Sequence, residues 1–211
     1  MQNHELIIAS GNSGKIKEIR HTLGTLIDFP FILNDISTSE ISEPDEPYST
    51  FIDNAIHKCR HYAAHTNTIT LSEDTGLCIE ALDNWPSIRT KDFMYQYGSI
   101  KNAIIKLEEI MHPHGNKKAF FHCAAAIYWP QKDWLITHEA QIHGQLALPQ
   151  RATGGLAFDP VFIPEGYNIT FAEIGEDGKH KISHRGKAVR GVVEKLIAMM
   201  KTEQQQRPQQ S

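Results

Sequence analysis

Four consecutive apolar residues, Leu6-Ile7-Ile8-Ala9, run directly into Ser10-Gly11-Asn12-Ser13-Gly14-Lys15, and this junction constrains the fold more than any other stretch. The apolar run reads as a buried strand. Beyond the small-residue loop, Ile16, Ile19 and Leu23 share one helical face, and Gly24 stops the pattern. A strand feeding a helix through glycines, with a lysine in the first turn, is a geometry that holds a phosphate. The glycines let the backbone approach an anion, the helix start presents unpaired N–H groups, and Lys15 adds a point charge. The same residues also suit a tight turn with a solvated lysine, and the loop alone does not choose.

A Walker A loop is excluded. It needs glycine, four residues, then Gly-Lys followed by Ser or Thr to hold magnesium. Here Ala9 occupies the first glycine position and Ile16 follows Lys15. Any metal must be held elsewhere in the chain.

A chain of 211 residues fits one ordinary domain, read here as residues 1–200, and buries a substantial core. Residues 203–211, rich in glutamine, have nothing to bury and read as a disordered tail. A formal net charge of −4 leaves no basic surplus for a general nucleic-acid binder. Cys59, Cys78 and Cys123 form no C-x-x-C pair, which suits a reducing compartment and offers neither a disulfide framework nor a zinc site. With no membrane-length apolar run and no basic-then-apolar leader, a soluble cytoplasmic protein is expected.

Further along, residues 29–33 read as a second strand and residues 37–49 as an acidic loop broken by Pro44 and Pro47. Phe51, Ala55, Cys59 and Ala63 define a helix that Thr50 caps. A short strand at 69–71 is expected to end at Ser72-Glu73-Asp74-Thr75-Gly76, and a helix covers 99–111. Residues 119–129 and 134–145 read as antiparallel strands, with a short strand at 161–163 and a last helix from Ser183 onward. Helices mixed with a hairpin give an α/β fold with a mixed sheet. His57, His61 and His65 share one helical face, with no acid or thiol nearby to complete a metal site.

Lys15, Lys58, Lys179 and Arg185 supply cations, while Glu46, Glu73 and Asp74 supply carboxylates. Acids among phosphate-binding cations make sense when a hard divalent ion bridges them, and magnesium prefers one or two carboxylates with phosphate oxygens and water. A carboxylate beside such an ion also accepts a proton from attacking water.

Five segments occur in one order: residues 10–15, Phe51-Ile52-Asp53-Asn54-Ala55, Ser72-Glu73-Asp74-Thr75-Gly76-Leu77, residues 154–160, and Ile182-Ser183-His184-Arg185-Gly186. In this order the chain resembles the inosine-triphosphate pyrophosphatase family, hydrolases of non-canonical purine nucleoside triphosphates, from about residue 6 to residue 198. The resemblance implies an elongated two-lobed α/β subunit with a cleft between the lobes, homodimeric, that uses Mg2+ to split ITP, dITP or XTP into monophosphate and pyrophosphate. By matching position, Ser10, Gly11, Asn12, Ser13, Gly14 and Lys15 would cradle phosphates with Lys58. Asp74 would be proton acceptor and metal ligand, with Thr75 beside it and Glu46 as a second ligand in a loop where Glu43 and Asp45 are alternative acids. Leu156, Ala157, Phe158, Asp159, Lys179, His184 and Arg185 would hold base and sugar. Donors from Arg185 and His184 would reward the 6-oxo group of hypoxanthine or xanthine and face the amino donor of adenine unfavourably.

Two segments depart from the family pattern. Leu156 stands where the family has a phenylalanine that stacks on the base, and Ser87-Ile88-Arg89-Thr90-Lys91-Asp92 replaces a Gly-aromatic-Ser-Ala-Arg-Tyr segment. Both bear on the base more than on the reaction. They keep open a pyrophosphatase for other modified nucleotides. A nucleotide-binding regulator without catalysis is the alternative from another class, opposed by the presence of Asp74, Glu46, Lys15 and Lys58.

Overall fold

In the computed structural model, which describes residues 4–27 and 29–206, the N-terminal apolar run is a strand, β1 (His4–Ile8). Asn12 ends the loop after it by accepting a hydrogen bond on Oδ1 from Lys15 N at 3.1 Å, which caps α1 (Ser13–Gly24). β2 (Phe31–Asp35) lies parallel to β1. It starts later than the expected 29–33 because Pro30 has no N–H to give to a ladder. Thr50 caps α2 (Phe51–Thr66) through Asp53 N, as the spacing predicts.

β3 (Ile69–Ile79) corrects the expectation of a short strand. It pairs parallel with β1 and then antiparallel with β4 (Lys118–Trp129), from Thr70 opposite Tyr128 to Ile79 opposite Ala119. That ladder carries the polar residues 72–76 inside the strand, so Glu73 and Asp74 are strand residues and not part of an exit turn. After β3 come α3 (Thr90–Gln96) and α4 (Ile100–Met111). β5 (Trp134–Leu146) forms the expected hairpin with β4, and β6 (Phe162–Pro164) adds an antiparallel edge. α5 (Phe171–Ile174), α6 (Glu176–Ile182) and α7 (His184–Gln206) complete the chain. The sheet order β2-β1-β3-β4-β5-β6 is mixed, as expected.

α7 continues through residues 203–206, where the composition suggests a tail. Its end is held by an ion pair between Glu203 and Lys132, and residues 207–211 lie outside the described residues.

Among the apolar clusters of the described residues, the two largest divide the long strands. One gathers Leu6, Ile8, Ile19, Leu71, Ile127 and Val192 from β1, α1, β3, β4 and α7. The other gathers Leu77, Ile79, Phe93, Leu107, Phe121 and Phe162 from the far halves of the strands with α3 and α4. β3 enters the first core at Leu71 and the second at Leu77. The polar stretch between them crosses the junction.

Candidate active site

A notch opens where β1 stops. β1 pairs with β3 only from Leu6 opposite Ile69 to Ile8 opposite Leu71, and Ala9 N then donates to Leu71 O at 2.7 Å before the chain leaves the sheet. Past Leu71 no strand pairs with that side of β3 among the described residues, apart from an isolated bridge of Cys78 to Pro86. Successive side chains of a strand point to opposite faces, so Glu73 and Asp74 meet different helices. Both still reach the open edge, where a cavity of about 360 Å³ lies.

On the face of Asp74 stands α2, whose buried stripe carries Asn54 and Lys58 one turn apart. Asn54 Nδ2 donates to Asp74 Oδ2 at 3.3 Å and to Tyr48 O at 3.2 Å, while its Oδ1 accepts from Tyr48 N at 3.0 Å. One amide thereby ties the acidic loop to the strand. Lys58 Nζ lies 2.5 Å from Glu46 Oε1 and 3.4 Å from Asp74 Oδ1. Burial raises Asp74 above its ordinary value, and the Lys58 charge offsets this only in part. At the less buried Glu46 burial also acts upward, but Lys58 outweighs it and the group sits below its usual value. Burial would discharge Lys58, but Asp74, Glu46 and Glu73 outweigh it and keep the ammonium charged. Two carboxylates around one cation are thus driven in opposite directions in proton affinity, an arrangement in which two acids can take different roles.

On the face of Glu73 the cations come from α1 and α7. Lys15 Nζ lies 2.7 Å from Glu73 Oε1, Arg185 Nε lies 3.5 Å from Oε2, and the Thr75 hydroxyl donates to Oε2. Burial alone would raise Glu73, yet Lys15, Arg185 and Lys58 hold it well below the ordinary carboxylate range. Arg185 also pairs with Glu18, whose other oxygen takes Lys179 Nζ at 2.5 Å. Lys179 Nζ reaches Asp159 Oδ2 at 2.6 Å, and that oxygen accepts from Leu156 N at 2.6 Å. Charges alternate along this buried chain from Lys15 to Asp159, so each ion has an opposite partner, as burial requires.

His184 and Arg185 open α7, where Ser183 Oγ accepts from Gly186 N at 3.0 Å. The His184 ring stacks on Phe121 with centroids 4.6 Å apart and planes 10° from parallel. Burial, reinforced by Arg185 and Lys179, keeps this imidazole well below its ordinary pKa and therefore neutral. Its Nδ1 is buried without a hydrogen-bond partner, as is Arg185 Nε.

Most sequence-predicted site residues meet on this cavity wall: Ser10, Gly11, Asn12, Ser13, Lys15, Glu46, Lys58, Asp74, Thr75, Leu156, Ala157, Asp159, Lys179, His184 and Arg185. Two do not. Gly14 turns its α-carbon away, and a Cβ there would lie 2.8 Å from Leu156 Cδ1, so its role is to seat that side chain against the loop. Phe158 is fully buried and stacks on Phe93 at 6.1 Å, which puts it in the core and off the wall. Sequence reasoning missed Glu18, Asn54 and Tyr95. For Glu18 the signal is an acid beside Ile19 on the buried side of α1; for Asn54 it is an amide next to Ala55 on the buried stripe of α2. On α2, His61 Nε2 contacts Ser42 O and His65 Nδ1 contacts His61 O.

A family model described as the Ham1 family matches residues 6–195. The chain is 36% identical over 188 residues to the dITP/XTP pyrophosphatase of Zymomonas mobilis, covering 87% of each chain. It is 32% identical over 196 residues to that of an Acidovorax species, covering 90% of this chain and 93% of the relative. The solved HAM1 protein of Coxiella burnetii superposes with a TM-score of 0.82 at 28% identity, over 92% of this chain and 99% of that one.

Proposed function

The chain belongs to the Ham1 family, and we propose that it hydrolyses non-canonical purine nucleoside triphosphates (ITP, dITP, XTP) to the monophosphate and pyrophosphate. The observation that carries this reading is the split between Glu46 and Asp74 around Lys58, beside a loop suited to phosphate. In this reading Ser10 to Ser13 and Lys15 grip the triphosphate tail with Lys58. Asp74, buried and raised in proton affinity, accepts a proton from a water whose oxygen bonds to the α-phosphorus, as the bond from that phosphorus to the bridging oxygen breaks and pyrophosphate leaves.

Glu46 and Asp74, both in contact with Lys58, offer hard oxygen donors. Among the described residues no cluster of three metal-ligating side chains stands ready. Two carboxylates completed by phosphate oxygens and water is the donor set magnesium favours, so these two residues would hold Mg2+. When bound, the ion neutralises charge on the phosphates.

His184 Nδ1, which has no hydrogen-bond partner, and the Arg185 guanidinium supply polar groups for the base and sugar end, with Leu156, Ala157, Asp159 and Lys179. The proposal extends to one catalytic domain over residues 1–200, a homodimer and a cytoplasmic location. No described helix is long and apolar enough to cross a membrane.

The test is a side-by-side assay of ITP, dITP, XTP, GTP and dUTP with Mg2+, reading pyrophosphate and monophosphate. Release of pyrophosphate from the inosine and xanthine nucleotides, lost on chelation, is expected. Silence on all five would overturn the proposal. A preference for dUTP would favour the reading as a pyrophosphatase of other modified nucleotides, which Leu156 on the cavity wall supports.

A further inference from the structure

Tyr95 lines the cavity and is nevertheless 71% exposed. Its ring stacks on no other ring and its hydroxyl makes no hydrogen bond among the described residues. The other aromatic side chain on the wall, Phe121, is buried and stacked against His184. Residue 156 is leucine and offers no flat face. Tyr95 therefore presents the accessible ring surface at this cavity.

The ring stands on a fixed support. Thr90 Oγ1, at the start of α3, accepts from Leu77 N at 2.9 Å and donates to Ser87 O at 2.6 Å, which fastens the helix to the strand that carries Asp74. Lys91, Met94 and Tyr95 lie three and four residues apart on one side of α3, and all three line the cavity. Lys91 Nζ reaches Glu43 Oε1 at 2.9 Å, tying the same helix to the loop of Glu46. A large apolar ring held toward water on a pinned helix is organised in advance for a planar ligand.

We propose that Tyr95 is the base-stacking residue of this site, receiving the purine ring of the substrate beside Met94. This rests on the pyrophosphatase reading. It places the aromatic platform on α3, just past residues 87–92, and residue 156 offers no ring.

The experiment measures binding of ITP, and of inorganic tripolyphosphate as a base-free probe, by calorimetry with Mg2+ in an Asp74→Asn background. Tyr95→Ala should weaken ITP binding by roughly 5- to 150-fold, the range expected for loss of one base–aromatic stack. Tripolyphosphate affinity should stay within about twofold, and Tyr95→Trp should restore the lost ITP affinity. Undiminished ITP affinity in Tyr95→Ala would overturn the inference, as would equal weakening of both ligands or the absence of ITP binding in the Asp74→Asn parent. Pyrophosphate release by the unmodified protein is read separately. If it fails while Tyr95→Ala still weakens ITP binding selectively, the hydrolysis reading falls and the stacking role stands.

Discussion

Lys58 Nζ stands 3.4 Å from Asp74 Oδ1, and the two are held there by α2 and β3 together. The lysine is one turn beyond Asn54, which bonds the other oxygen of the same carboxylate. Asp74 is therefore fixed at both oxygens, yet burial keeps its proton affinity high. Its replacement by asparagine preserves shape and the Asn54 contact while removing the proton acceptor. Asp74→Asn should lower kcat about a hundred- to ten-thousand-fold, the usual worth of general-base catalysis. Thermal unfolding should show no loss of stability, because the variant removes a buried charge. A drop of kcat below tenfold would remove Asp74 from this role.

Gly76 lets the segment after β3 fold back against the strand. A Cβ at this position would lie 2.1 Å from Ser87 O and 2.9 Å from Phe51 Cε1, so backbone would have to move. Gly76→Ala should cost about 1–3 kcal/mol by overpacking. It should also raise KM for the nucleotide, because Ser87 supports Thr90 and with it α3. Denaturant titration and steady-state kinetics check both effects.

How much of this was readable beforehand depends on the range over which each feature is determined. The strand, loop and helix at residues 6–24 are set by neighbours in the chain, and they stand nearly where the pattern puts them. The length of β3 is not local. Residues 72–76 look like a turn until β4, some fifty residues away, supplies the ladder. Phe158 misled for a related reason. The turn closed by Leu156 N on Asp159, with Ala157 at a φ of 53°, carries the ring into the core beside Phe93. The residues of the alternating charge chain were legible as types, but their pairing was not, since partners such as Glu18 and Lys179 are 161 positions apart.

His184 makes stability depend on pH in a direction that follows from its burial. Its folded pKa lies well below the ordinary value of 6.5, first through burial and then through Arg185 and Lys179. Above pH 6.5 both folded and unfolded imidazoles are neutral and nothing is lost. As pH falls below that value the unfolded chain takes up a proton that the folded one refuses, so stability falls. The limiting slope is about 1.4 kcal/mol per pH unit. Asp74 and Asp159, raised by burial, act oppositely: their contribution is full below 3.8 and is lost as pH rises through the folded values. The difference between the parent and His184→Phe, which keeps a ring against Phe121, isolates the histidine. Denaturant unfolding between pH 7.5 and 5 should show the parent losing stability faster than the variant. Parallel curves would contradict the account.

Glu18 joins two cations, with one carboxylate oxygen on Lys179 and the other on Arg185. All three side chains are buried, so their charges are compensated chiefly by one another. Removing the anion leaves two cations in a region of low polarity, a loss of about 3–5 kcal/mol when a buried partner is deleted. Glu18→Ala should therefore lower the unfolding free energy by that amount, read by denaturant titration. Lys179 retains Asp159 at 2.6 Å and Arg185 retains Glu73 at 3.5 Å, which holds the loss toward the lower end. Combining Glu18→Ala with Lys179→Met removes one of the stranded cations, so the double variant should be more stable than the sum of the two single losses. Strict additivity would mean that Glu18 and Lys179 are not coupled, and the chain of alternating charges would then be a geometric coincidence without energetic weight.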